Sequence, residues 1–245
     1  MSDASAQVTS ELAPGGVMRV GFNFRNELLT GRDASGQPTG VALDLGRELA
    51  RRLGARFEIV EYPDPGALAE SAGADQWDVG FLGAEPARAK LIDFTAAYVE
   101  IEATYLVRSD SPLRAVADVD RPGLRVIAPG KAAYGLWLTE NLKHAAFTGV
   151  DDATIAARRF AEEGFDALGG LKDRLVKDCA RLPGTRVLDG QFAAVQQAVG
   201  VPRGRAAGLA YLKGFVEDAK AGGLVARLIA KHGVGHSLSV APLVG

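Results

Sequence analysis

The chain is poor in the features that most often announce a function. Cys179 is its only cysteine, so no internal disulfide and no cysteine-based metal site can form. No run approaches the roughly 18 uninterrupted apolar residues of a transmembrane helix, and membrane insertion is not expected. Like charges are nowhere blocked together: 28 basic and 30 acidic residues leave a net charge of −2, which makes nucleic acid and anionic membrane surfaces poor partners. There is no Gly-x-Ser-x-Gly elbow, no Gly-x-Gly-x-x-Gly fingerprint and no zinc signature. Gly130–Lys131 lacks both the earlier glycine and the following Ser or Thr of a phosphate loop, so neither a nucleotide nor any other cofactor is expected. His232 and His236 are spaced for one helix face, but Gly233 and Gly235 interrupt that helix, and no metal is expected. Residues 1–16 carry Asp3 and Glu11 among scattered Ser and Ala, with no Lys or Arg before Arg19, so the chain as given shows no signal peptide.

What is present is an alternation of strand and helix signals. Val17 to Phe24 reads as a strand, followed by a polar loop through Gly40. Val41, Leu45, Leu49 and Leu53 recur every four residues, and Gly54 stands where a helix-ending glycine belongs. Arg56 to Tyr62 is a second strand, Asp64–Pro65 caps and opens a second helix, and Trp77 to Leu82 is a third strand. This β-α-β-α-β order predicts a parallel sheet with helices on its faces, and ligands of such sheets collect at the carboxyl ends of the strands. After an extended run from Glu100 to Val107, the polar stretch Ser109–Gly123 reads as a crossing segment. A second α/β set follows: a strand at Leu124–Ala128, helices near 131–145 and 152–163, a strand at Phe165–Leu168 and a helix at 171–180. An extended stretch at Val187–Leu188, a strand at Ala193–Val201, helices near 205–221 and 223–232, and a glycine-rich tail complete the pattern.

The centre of this organisation is the stretch Trp77 to Thr95. Its buried strand ends at Gly83, Glu85 precedes Pro86, and Ala87 to Ile92 reads as a short helix opened by Pro86 and carrying Arg88 in its first turn. A fixed cation beside unpaired backbone N–H groups suits a carboxylate; the alternative is a solvated surface arginine. The pattern W-D-V…R-A-x-x-I-D-F-T-x-x-Y, with similarity over roughly residues 17–233, resembles the family 3 extracellular solute-binding proteins, the amino-acid receptors of ABC importers. The resemblance implies a two-lobed α/β fold of the type II periplasmic-binding class, each lobe a mainly parallel sheet flanked by helices. Lobe one would be 17–104 plus 196–233 and lobe two 105–195, with 1–16 and 234–245 as terminal extensions. The lobes would be joined by two hinge crossings and would close over the ligand. The family's arginine at the place of Arg88 clamps the ligand carboxylate, although the loop from Asp78 to Arg88 is two residues shorter here.

Further ligand-binding candidates follow from the same resemblance. Asn23 and Asn26 come after the first strand, where polar side chains serve a ligand or a turn. Gly83 ends the third strand, and Gly130, Lys131 and Ala132 form a strand-to-helix loop with free N–H groups. Glu100 and Glu102 share one strand face; they receive a cation, act as a general acid or base, or simply face solvent. Gln196 and Gln197 lie at the return crossing, where at most one of them faces inward. One departure is sharp: the acid that holds the ligand ammonium, five residues past Asp166, is replaced by Leu171, with Lys172 next. A ligand without an ammonium is the favoured expectation, with Glu100 or Glu102 as substitute acids otherwise.

The resemblance therefore implies a solute-binding protein, not an enzyme, that takes a small carboxylate-bearing ligand for an ABC permease and is expected to be a monomer. It implies a periplasmic location, with the cytoplasm as the alternative for a chain without a leader. Two further readings stand beside it: a dehydratase resembling the cyclohexadienyl or arogenate enzymes, with Glu100 as proton donor, and a cytoplasmic ligand-sensing module.

Overall fold

A computed structural model describes residues 5–235 and 237–244; His236 lies outside the described residues. The chain begins with helix α1 (Ala6–Leu12), strand β1 (Val17–Asn23) and a small hairpin of β2 (Gly31–Arg32) and β3 (Pro38–Thr39). Helix α2 (Val41–Leu53), β4 (Arg56–Tyr62), α3 (Pro65–Glu70) and β5 (Val79–Gly83) follow, and then β6 (Ile92–Arg108), a strand of 17 residues. Next come β7 (Arg125–Pro129), α4 (Ala133–Asn141), β8 (Ala146–Val150), α5 (Ala153–Glu163), β9 (Ala167–Leu171), α6 (Lys172–Arg181) and β10 (Thr185–Val187). Strand β11 (Ala193–Pro202), α7 (Ala206–Ala221), α8 (Leu224–Lys231) and β12 (Leu238–Val240) complete it. Two compact units result: the residues up to Glu100 together with those from Gln196, and Ile101–Val195. Strands β6 and β11 each run through a boundary.

In the first unit β1 lies between β4 and β5, parallel to both. Strand β11 runs antiparallel to β5 and places Gln197 opposite Gly83, giving the order β4-β1-β5-β11-β6. Met18, Val20 and Phe22 of β1 are fully buried, and Phe22 stacks on Phe81 with centroids 5.2 Å apart. A side chain at Gly21 would meet Leu68 Cδ1 at 2.4 Å, so the glycine is what lets α3 lie close on the sheet. The predicted stripe Val41, Leu45, Leu49, Leu53 is buried, and Gly54 ends α2 in the left-handed conformation at φ 64°. Asp64 caps α3 through Ala67 N, with Pro65 in the first turn as expected.

The ends of the chain hold more order than their composition suggests. Ser5 caps α1, which buries Val8 and Leu12; Leu12 packs on Gly208 of α7, and Glu11 accepts from Gly208 N at 2.7 Å. In place of a featureless glycine-rich tail, β12 pairs with β6, and the buried Lys220 donates to the Pro242 carbonyl at 2.7 Å. Leu238 and Ala241 are the apolar residues that anchor it. Between these ends sits Asp78, wholly buried. Its carboxylate accepts from Arg19 N (3.0 Å), Nε (2.9 Å) and Nη2 (2.8 Å), and from Arg205 Nη1 (2.9 Å). Arg205 also reaches the Glu11 carbonyl at 2.7 Å, so one carboxylate ties together α1, β1 and the start of α7.

The second unit centres on β7, parallel to β8 and β9, with β9 antiparallel to β6 and β10 on the other side of β6. Its core joins Leu106, Ile127, Phe160, Phe165, Leu168 and Leu175. Asp152 caps α5 by accepting from Thr154 N and Ile155 N, and Gly164 ends it at φ 68°. Strand β8 had no clear signal, being short, half-exposed and interrupted by Gly149. Strand β9 starts two residues later than expected and runs on to Leu171. Helix α4 is shorter than the 131–145 pattern, because Leu142 leaves the helical conformation. Ser109–Gly123 falls within this unit and contains one 3-10 turn, Val116–Asp118.

Candidate functional site

The site is built outward from the carboxyl end of β5. After Gly83 the chain does not form the expected helix over 87–92. It makes a single 3-10 turn, Arg88–Lys90, because Ile92 already belongs to β6 and too few residues remain to propagate an α-helix. The turn is closed by Arg88 N donating to the Glu85 carbonyl at 2.9 Å. Arg88 is not a solvated surface residue: it is 5% exposed, and its Nη1 donates to the Gly83 carbonyl at 2.9 Å. Burial pushes its guanidinium down to about 10, against the opposing pull of Glu85 and Asp64.

Strand register gathers the neighbouring candidates. Gln197 faces Gly83 across the β5–β11 ladder, and Ala84 N donates to the Gln196 carbonyl at 2.9 Å. The Gln196 side chain then reaches over to β6, where Nε2 donates to Glu100 Oε1 at 2.7 Å. Gln197 is buried while Gln196 is half-buried, in keeping with opposite faces for adjacent strand residues. Arg88, Gly83, Gln196 and Glu100 therefore share one end of the first unit's sheet. Asn23 closes β1, the neighbour of β5; it is buried, and its carbonyl accepts from Thr30 Oγ1 at 2.6 Å. Asn26 lies three residues farther on in a turn, its Oδ1 accepting from Leu28 N at 3.3 Å and its carbonyl from Leu29 N and Thr30 N.

The second unit carries the other candidates. Gly130 N donates to the Val150 carbonyl at 2.9 Å, and a Cβ on Gly130 would stand 3.2 Å from Gly149 Cα, so this loop packs tightly on the end of β8. Lys131 is exposed, and Ala132 begins α4 with no side-chain cap over its first N–H groups. Leu171 is the last residue of β9 and precedes α6. Lys172 is paired with Glu102 at 2.6 Å, so Glu102 and Glu100 sit on one strand with quite different partners. A feature without a local signal is an aromatic trio, Tyr105, Phe192 and Trp137, with successive centroids 4.6 and 5.3 Å apart; residues so distant in sequence meet only through the fold. His232 is committed to Asp44 Oδ2 at 2.9 Å, and no cluster that could hold a metal occurs among the described residues.

Residues 18–235 match the model of the bacterial extracellular solute-binding proteins, family 3. The chain belongs to that family. Among solved structures it is similar to a mutant of ArgBP from T. maritima (21% identity, 91% of this chain and 98% of that one covered, TM-score 0.72). It is also similar to the amino acid ABC transporter substrate-binding protein AbpA from Streptococcus pneumoniae bound to L-arginine (16% identity, 90% and 96% covered, TM-score 0.72). An ancestral cyclohexadienyl dehydratase matches as well (25% identity, 94% and 97% covered, TM-score 0.53). The fold is thus the type II periplasmic-binding fold, mixed α/β with mainly parallel sheets flanked by helices. No described helix is long and apolar enough to cross a membrane.

Proposed function

We propose that this family 3 protein binds a small carboxylate-bearing solute, amino-acid-like or an organic acid, and delivers it to an ABC permease outside the cytoplasm. The observation that carries this reading is Arg88, a desolvated guanidinium at the carboxyl end of β5 that donates to the Gly83 carbonyl and feels the charges of Glu85 and Asp64. Taking such a cation out of water is costly, and a carboxylate presented to it regains part of that cost through charge-assisted hydrogen bonds. Asn23 and the Gly83 region offer the neutral polar contacts around it.

The test is a thermal-shift screen over amino acids, keto acids, aromatic acids and dicarboxylates. A solute at 100 times its Kd stabilises the fold by about 2.7 kcal/mol, and a screen in which only uncharged or purely cationic compounds shift the transition contradicts the reading. The similarity to an ancestral dehydratase supports a second reading, with the half-buried Glu100 as proton donor. A prephenate assay separates the two, and no turnover is the outcome expected here.

A further inference from the structure

We propose that strand β8 is an interaction edge at which two copies of this chain pair antiparallel about Thr148. The inference goes beyond the solute reading and concerns the second unit alone. Strand β8 is bonded along one side to β7, and among the described residues no strand lies on its other side. Ala146 N donates inward to the Leu124 carbonyl at 2.8 Å, and the Val150 carbonyl accepts from Gly130 N at 2.9 Å. The alternation of a strand therefore turns the N–H and C=O groups of Phe147 and Gly149 outward. Such an edge is a template for another strand unless charge, proline or a covering element blunts it. The first unit's edge strand β4 is blunted by charge, with Arg56 paired to Glu58 and Glu61 to Arg32. Strand β8, from Ala146 to Val150, has neither a charged residue nor a proline.

This edge is complementary to itself. With Thr148 on a two-fold axis, Phe147 lies opposite the copy's Gly149, and each such pair exchanges both of its N–H···O bonds. Directly opposed residues share a face, so each Phe147 ring covers the bare Gly149 of the copy, and two threonines meet at the axis. The flanking charges match in the same register. Lys143 and His144 precede the strand and Asp151 and Asp152 follow it, so His144 comes opposite the copy's Asp152 and Ala145 opposite its Asp151. Both ends are held in advance: Asp120 spends its carboxylate on the backbone N–H groups of Lys143, His144 and Ala145, and Asp152 caps α5. A contact this short is a small interface, with a dissociation constant on the order of 10–100 µM and a monomer when dilute.

The experiment is sedimentation velocity on the whole chain over about 1–500 µM, with disulfide trapping as a second readout. Wild type is expected to pass from monomer to dimer across this range. Thr148→Lys sets two cations together at the axis and should raise the dissociation constant by about tenfold or more, and Asp151→Lys by about threefold. Thr148→Cys in a Cys179→Ser background should give a disulfide-linked dimer under mild oxidation, because pairing brings the axial Cα atoms to about 4.5 Å. Ala146→Cys in that background should not, since its counterpart lies farther along the copy, roughly 13 Å away. A chain that stays monomeric throughout overturns the proposal. A dimer that both lysine variants leave intact, or that links as readily through Ala146→Cys, places the contact elsewhere and overturns it as well.

Discussion

Asp78 and Glu100 are both acidic side chains of the first unit, and the fold treats them in opposite ways. Asp78 is wholly buried and given two arginines and a backbone N–H, so its charge is spent inside the protein. Glu100 is half-buried and given one amide. Burial alone would raise the Asp78 carboxyl, but hydrogen bonds from Arg19 and Arg205 outweigh it and hold the group below the ordinary carboxylate range. The contrast teaches how to read an acid in a binding protein: the partners it already has decide whether it serves the fold or awaits a ligand.

The strongest way to break this contrast is to remove the Asp78 carboxylate. Asp78→Ala takes from Arg19 and Arg205 their buried partner, leaves them only the exposed Asp75 as an ion-pair partner, and should cost about 3 kcal/mol in urea unfolding. The same group predicts an acid limb. Its folded pKa lies below the unfolded value, so its contribution is fully present above about pH 4 and is lost as pH falls through the folded pKa. An unfolding series from pH 5 downward should show wild type losing stability through this window, with Asp78→Asn losing less.

A milder perturbation removes one of the two arginines. Arg205→Met leaves Arg19 on Asp78 but frees the Glu11 carbonyl, and about 1–3 kcal/mol of stability should go with it, read by chemical denaturation. Smallest of all is Glu100→Gln, which replaces one acceptor of the Gln196 amide by another and should change stability by no more than about 0.5 kcal/mol. A loss at Glu100 as large as that at Asp78 would erase the distinction between the two acids.

Local chemistry made much of the scaffold legible. The four-residue recurrence from Val41 to Leu53, the Gly54 terminator and the Asp64–Pro65 start are signals contained within one element, and the structure has each of them where the pattern predicts. Strand β8, strand β12 and helix α1 left weak traces because each is short and relies on distant residues for burial, as Leu12 relies on Gly208. The candidate site was legible as residue types but not as partners. Nothing near Glu100 announces Gln196, which is 96 residues away and is brought to it by the order β5-β11-β6, and nothing in the loop after Gly83 announces that Arg88 is buried. Asp78 appeared in the sequence as part of a motif, while its arginines lie 59 and 127 residues away.

The most direct test of the central claim is the affinity of Arg88→Ala for whichever carboxylate stabilises wild type most in the thermal-shift screen. If Arg88 takes the solute's carboxylate, titration calorimetry should show a loss of about 2–5 kcal/mol, roughly 30-fold to several thousand-fold. An Arg88→Ala protein that folds and binds that same carboxylate with wild-type affinity would contradict the account.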